Sequence, residues 1–215
     1  MKQFIHSACI TAILLLTACG GDRQPSAPGQ KTTATLPDGC PDRFTAVLAT
    51  TKGEIRIDVT KADAPLGAQR FYDLVKSGYY TDVAFFRVIP GFMAQAGIHG
   101  DPTVNAKWRG NRIADDPVRG SNVRGTVSFA MGGPGTRTTQ FFINLADNPR
   151  LDGMGFAPFG RVADMTTVDG LYGGYGEGAP SGQGPNQMML QTRGNAWLKP
   201  AFPRLDYILS AAIAP

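Results

Sequence analysis

Past residue 18, few side chains could do acid–base, nucleophilic or metal chemistry. His99 is the only histidine there, and Cys19 and Cys40 form no Cys-x-x-Cys pair, so the usual zinc-binding patterns are missing. There is no Gly-x-Ser-x-Gly elbow for a serine hydrolase, and Cys40 lacks a convincing His partner for a thiol protease. Asp115-Asp116-Pro117 could be imagined as a metal or acid/base pair, but adjacent acids before Pro in a polar stretch read as a solvated turn. His99, between Ile98 and Gly100, reads as a loop residue. Residues 170–186 hold seven glycines yet neither Gly-x-Gly-x-x-Gly nor the Lys-Ser/Thr ending of a phosphate loop, so they read as a long surface loop. An enzyme built on this chain is therefore expected to need no metal, cofactor, nucleophile or titrating base.

The elements available to position a site are mostly strands. Residues 44–50 are apolar and β-prone, 55–59 alternate, and Thr51-Lys52-Gly53 between them is turn chemistry, which predicts a hairpin. Pro65 suits the first turn of a helix whose apolar face is Ala68, Phe71, Leu74 and Val75, with Gly78 as its stop. Further strands are expected in 83–89, 92–96, 126–130, 141–145 and 159–162, with a second, short helix in 165–171. The stretch 101–124 reads as polar and irregular. This rhythm of short strands with Gly and Pro punctuation predicts a closed β-barrel or sandwich, not alternating strand–helix units.

Composition agrees. The sequence of 215 residues has 27 Gly and 16 Pro, one residue in five, with 42% hydrophobic and 18% charged side chains, which excludes collagen, a coiled coil and a wholly disordered chain. The net charge of +4 is spread without a basic stripe or arm, so no nucleic-acid partner is expected. Lys2 followed by an apolar run over residues 4–18 is too short to span a bilayer and reads as a signal peptide, residues 1–18. Residues 19–40 are rich in Pro, Gly, Ser, Thr and Gln and read as a flexible tether.

Two longer patterns bear on function. The first is Phe85-Phe86-Arg87-Val88-Ile89-Pro90-Gly91-Phe92-Met93-Ala94-Gln95. The second runs from Gly125-Thr126-Val127-Ser128-Phe129-Ala130 through Gly133-Pro134-Gly135-Thr136, Gln140-Phe141-Phe142-Ile143 and Leu151-Asp152-Gly153 to Phe159-Gly160-Arg161-Val162. In order and spacing this set, from residue 44 to 171, resembles the cyclophilin family of peptidyl-prolyl cis–trans isomerases. The resemblance implies a mainly β fold: a closed antiparallel barrel of about eight strands capped by two helices. It assigns residues 41–172 to the isomerase domain and leaves 173–215 as a Gly-rich loop and C-terminal extension packed on the barrel.

The resemblance also implies the site. Arg87 matches the family's catalytic arginine and Gln95 the glutamine that bonds it. Phe92, Met93, Phe142 and Leu151 match the pocket for the Pro ring, and Ala130, Met131 and Gln140 match its peptide-contacting edge. The chemistry is consistent with these residues, because arginine keeps its charged donors at any ordinary pH and X–Pro rotation needs no covalent intermediate. Departures from the family pattern fall on the rim. Phe86 stands where many members have His, Met131 replaces a common Asn, and Arg150 occupies the place of a Trp important for cyclosporin, so weak cyclosporin binding is expected. Leu16-Thr17-Ala18-Cys19 resembles a bacterial lipobox, which implies acylation of Cys19. With Gly20 following, it implies an outer-membrane lipoprotein facing the periplasm. The expected partners are then Pro-containing peptides and unfolded exported proteins, with the bilayer reached through Cys19. A Pro-peptide-binding scaffold with little turnover is the alternative.

Overall fold

Strict alternation builds the first hairpin. In β1 (Arg43–Thr50) and β2 (Gly53–Thr60) every second side chain is buried, including Phe44, Ala46, Leu48, Ile55, Ile57 and Val59. The strands pair antiparallel from Arg43↔Thr60 to Thr50↔Gly53, which leaves Thr51-Lys52 as a two-residue turn. The computed structural model describes residues 39–215. The expected signal peptide, the acylated Cys19 and the tether up to residue 38 lie outside the described residues. At the start of the described part Cys40 is buried in the main core, and its backbone N–H donates to Gln69 Oε1 at 2.7 Å.

Helix α1 (Pro65–Lys76) lays Ala68, Phe71, Leu74 and Val75 against the sheet. Phe71 is its anchor, with its ring 4.9 Å from Phe159, 5.6 Å from Tyr80 and 5.7 Å from Phe141. Full burial of such a side chain is worth about 1.5–3 kcal/mol. The helix has no side-chain cap from its own N-cap residue, Ala64. Its first free N–H groups instead reach Asp116, at 2.9 Å from Leu66 and 2.8 Å from Gly67. Asp116 also pairs with Arg137 Nη1 at 3.0 Å, with both side chains 3% exposed or less. The expected solvated turn at 115–116 is therefore corrected: Asp116 is a buried cap and ion-pair partner, supplied from about fifty residues downstream.

The other strands are β3 (Val83–Ala84), β4 (Arg87–Ile89), β5 (Met93–Ala96), β6 (Thr126–Phe129), β7 (Phe141–Asn144), β8 (Pro158–Val162) and β9 (Tyr207–Ile213). They form one antiparallel sheet of nine strands in the order β3-β9-β1-β2-β8-β6-β7-β5-β4. The expected closed barrel of about eight strands is corrected to a curled, open sheet. Its two edges, β3 and β4, are successive pieces of one segment and cannot pair with each other. The segment pairs with β9 at Val83 and Ala84, Phe85 N–H donates to the carbonyl of Asp206 just before β9 at 2.9 Å, and the chain changes partner to β5 from Arg87 onward. At the changeover Phe85 enters the main core and Phe86 a second cluster.

Among the described residues two helices beyond the expected pair correct the two-helix cap. The stretch expected to be irregular contains α2 (Pro102–Arg109), whose N-cap Asp101 accepts from Thr103 N–H and whose Pro102 starts the first turn. It buries no residue fully and packs only the half-buried Val104 and Trp108 on the main core, too short an apolar stripe to mark it in sequence. The short α3 (Thr166–Asp169) falls within the predicted second helix, and α4 (Gln187–Ala201) is kinked at Gly194. Of the segment 173–215, Leu190 and Leu198 of α4 bury with Phe86, Ile98 and Tyr207, and β9 lies between β3 and β1 in the sheet.

Candidate active site

The register of three strands gathers a polar and apolar constellation on the outer face of the sheet. On β4 and β5, Val88, Ala94 and Ala96 turn into the main core, and on β7 Phe141 and Ile143 do the same. Their neighbours Arg87, Met93, Gln95 and Phe142 must then point the other way, because side chains alternate along a strand. Arg87 is directly opposite Gln95, and Gln95 is opposite Phe142. Met93, Phe142 and Leu151 form a small apolar cluster of their own, flanked by Phe92, Ala130 and Phe156. Ordinary core packing would have placed these side chains with Phe71 and Phe159; the structure sets them apart, around a cavity.

That cavity has a volume of about 470 Å³ and is lined by all nine residues assigned to the site: Arg87, Phe92, Met93, Gln95, Ala130, Met131, Gln140, Phe142 and Leu151. A line of hydrogen bonds crosses it. Gln95 Nε2 donates to Gln140 Oε1 at 3.0 Å, and Gln95 Oε1 accepts from Arg87 Nη1 at 3.0 Å. The Ala130 N–H donates to Gln140 O at 2.9 Å, which leaves the Ala130 carbonyl for an external partner. Leu151 ends a 3-10 turn over Pro149–Leu151, held where Asp152 accepts from Asn122 N–H at 2.8 Å and Ser121 Oγ at 2.5 Å.

Sequence reasoning missed one ionisable group. Glu177, from the Gly-rich loop, accepts from Arg87 Nε and Nη2 at 2.6 Å each. These hydrogen bonds hold its carboxyl below the usual carboxylate range, against an opposing effect of burial. It is the one charged residue in 170–186, which is the only signal that could have pointed to it. Gly132, Thr136, Thr138, Phe156 and Gln187 complete the lining. His99 is not among the lining residues, and partial burial pushes its imidazole pKa down. Arg150, on the rim, lies over the Phe92 ring at 5.0 Å. Among the described residues no three His, Cys, Asp or Glu side chains gather where they could hold a metal ion.

Such a site has an apolar floor for a compact ring and one fixed cation at its edge. It can donate to an atom that becomes electron-rich without gaining or losing a proton itself. A family model described as cyclophilin type peptidyl-prolyl cis-trans isomerase/CLD matches residues 45–174. Peptidyl-prolyl cis-trans isomerase-like 1 of Rhizopus delemar is 40% identical over 133 residues, covering 59% of this chain and 78% of the relative. Peptidyl-prolyl cis-trans isomerase A of Dickeya dadantii is 38% identical over 122 residues, covering 54% and 64%. A similar fold, with a TM-score of 0.59 and 22% identity, is the Cryptosporidium parvum cyclophilin type isomerase solved in the presence of the dipeptide Ala-Pro, with 80% of this chain and 99% of that one covered.

Proposed function

This chain belongs to the cyclophilin-type peptidyl-prolyl cis-trans isomerases and is a peptidyl-prolyl cis-trans isomerase, and from that premise we propose how its cavity works and where it acts. Rotation about an X–Pro bond costs about 18–20 kcal/mol because amide resonance must be lost. At the twisted geometry the prolyl nitrogen recovers its lone pair and becomes an acceptor. The Pro ring sits on Met93, Phe142 and Leu151, beside Phe92, and Arg87 donates to the localising lone pair. Gln95, tied to Gln140, steadies Arg87 and the peptide. The Ala130 carbonyl, next to Met131, takes the extended backbone. One observation supports this reading above the others: Arg87 is held by hydrogen bonds at the edge of an apolar cavity that is not part of the main core.

The pH dependence tests it. Arg87 and Glu177 are the only ionisable side chains lining the cavity among the described residues. Glu177, held below the usual carboxylate range, stays ionised throughout the neutral range, and His99, whose pKa partial burial pushes down, does not line the cavity. Catalysed exchange of an uncharged, end-blocked Ala-Pro tetrapeptide by the full chain should therefore be flat between about pH 6 and 8.5, unlike the bell-shaped profile of acid–base enzymes. A single ionisation near neutrality governing the rate would contradict it. In the same assay cyclosporin should inhibit weakly, since Arg150 offers no indole donor.

The clients are proposed to be exported proteins that fold at the bacterial envelope, with the enzyme tethered to the outer membrane through Cys19. The lipobox-like Leu16-Thr17-Ala18-Cys19 supports this. A palmitate analogue fed to expressing cells should label the wild type and leave Cys19→Ser unlabelled; equal labelling of both removes the anchor.

A further inference from the structure

Glu177 has no place in the chemistry just described, yet its two bonds to Arg87, at 2.6 Å, are the shortest between residues lining the cavity. Of the five N–H donors of a guanidinium, Arg87 commits Nε and one Nη2 hydrogen to the two Glu177 oxygens, and one Nη1 hydrogen to Gln95. The remaining Nη2 hydrogen is uncommitted, and the second Nη1 hydrogen has only the Met93 sulfur, at 3.8 Å. The pair is too open to matter much for stability, with side chains 21% and 40% exposed. Its geometry, however, is the paired fork that fixes a guanidinium plane.

The loop holds Glu177 in place without help from Arg87. Gly184 N–H donates to the Glu177 carbonyl at 2.7 Å, Gly178 N–H to Glu177 Oε1 at 2.8 Å, and Ala179 N–H to Gly184 O at 3.0 Å. A Cβ at Gly184 would sit 2.9 Å from the Glu177 carbonyl oxygen, so this close return of the backbone requires glycine. Upstream, Tyr172 N–H is tied to Asp206 Oδ2 at 2.7 Å, and downstream Asn186 caps α4. The carboxylate is thus a fixed point to which a long, many-rotamer side chain is fastened.

We propose that Glu177 is a positioning residue for the isomerisation: its carboxylate clamps the Nε/Nη2 edge of Arg87 and so aims the remaining Nη1 and Nη2 donors at the substrate. This rests on the role of Arg87 proposed above. Gln95 alone leaves the guanidinium one contact about which to swing. Glu177 and Gln95 together grip it from two sides and fix its plane. The Gly-rich loop, which lies beyond the end of the matched family segment at residue 174 from Tyr175 onward, then supplies part of the catalytic geometry.

The test is exchange spectroscopy of the blocked Ala-Pro tetrapeptide with the full chain, which separates peptide affinity from the on-enzyme rotation rate. Glu177→Ala should slow the on-enzyme rate roughly tenfold and leave the dissociation constant within about twofold, since orientation rather than binding is lost. Glu177→Gln, equal in size and with one acceptor oxygen left, should fall between Ala and wild type. The Arg87 Nε–H resonance, assigned by its absence in Arg87→Ala, should move and exchange faster with water in both variants. On-enzyme rates within twofold of wild type in both would overturn the clamp, and faster rates would make Glu177 a competitor of the substrate instead. A wild-type rate in Arg87→Ala would remove the role of Arg87 and the clamp with it, whereas loss in Arg87→Ala with no change at Glu177 removes the clamp alone.

Discussion

Asp116→Ala should lower the thermal midpoint by about 6–12 °C, the equivalent of roughly 3 kcal/mol in a domain of this size. The side chain is 2% exposed and serves two separate needs. It accepts from Leu66 and Gly67, the first free donors of α1, and it faces Arg137, itself 3% exposed. Truncation leaves a buried guanidinium short of its partner and a helix end short of its cap, and either alone is costly. The loss falls short of the upper range for a broken buried pair because Arg137 keeps Asp115, at 3.2 Å from Nε, and the Ala114 carbonyl. Asp115→Ala is the contrast. Asp115 is 32% exposed, so its removal should cost under about 1 kcal/mol. Differential scanning calorimetry of both variants decides it; equal midpoints would show that the α1 cap is not a significant source of stability.

What could be read in the sequence was whatever repeats over a few residues. Alternation in 44–50 and 55–59 places the first hairpin, and the apolar face of α1 places Phe71 over the sheet. Local patterns did not give α2, whose Asp101-Pro102 start is a genuine helix signal but whose core-facing side is only the half-buried Val104 and Trp108. They also overstated closure. A single β-prone run over 83–89 says nothing about a change of partner at Phe86, which depends on β9 arriving from more than a hundred residues away.

The site divides in the same way. The family resemblance supplied every residue of the site; strand alternation and register explain why Arg87, Met93, Gln95 and Phe142 share a face, while Leu151, Ala130 and Gln140 lie beyond the strand ends. Glu177 was invisible because its importance lies in a contact spanning 90 residues, between a loop with no periodicity and a strand. Asp116 was misread for a similar reason: adjacent acids before Pro are a turn signal, and nothing nearby announces either the α1 N-terminus or Arg137.

The central claim is that a fixed, charged, planar donor at residue 87 stabilises the twisted amide. Exchange spectroscopy of the uncharged Ala-Pro tetrapeptide with wild type, Arg87→Ala and Arg87→Lys tests it most directly. Arg87→Ala should lose on the order of 10²–10³ in rate, about 3–4 kcal/mol of preorganised electrostatic stabilisation. The fold should be unaffected, because residue 87 is on an outer face and partly exposed. Arg87→Lys should recover little of the loss, since a single ammonium cannot span Gln95 and Glu177 and still present a donor to the substrate. Near-wild-type rotation in a folded Arg87→Ala protein would contradict the account, as would a rate that follows a single ionisation and vanishes in His99→Ala.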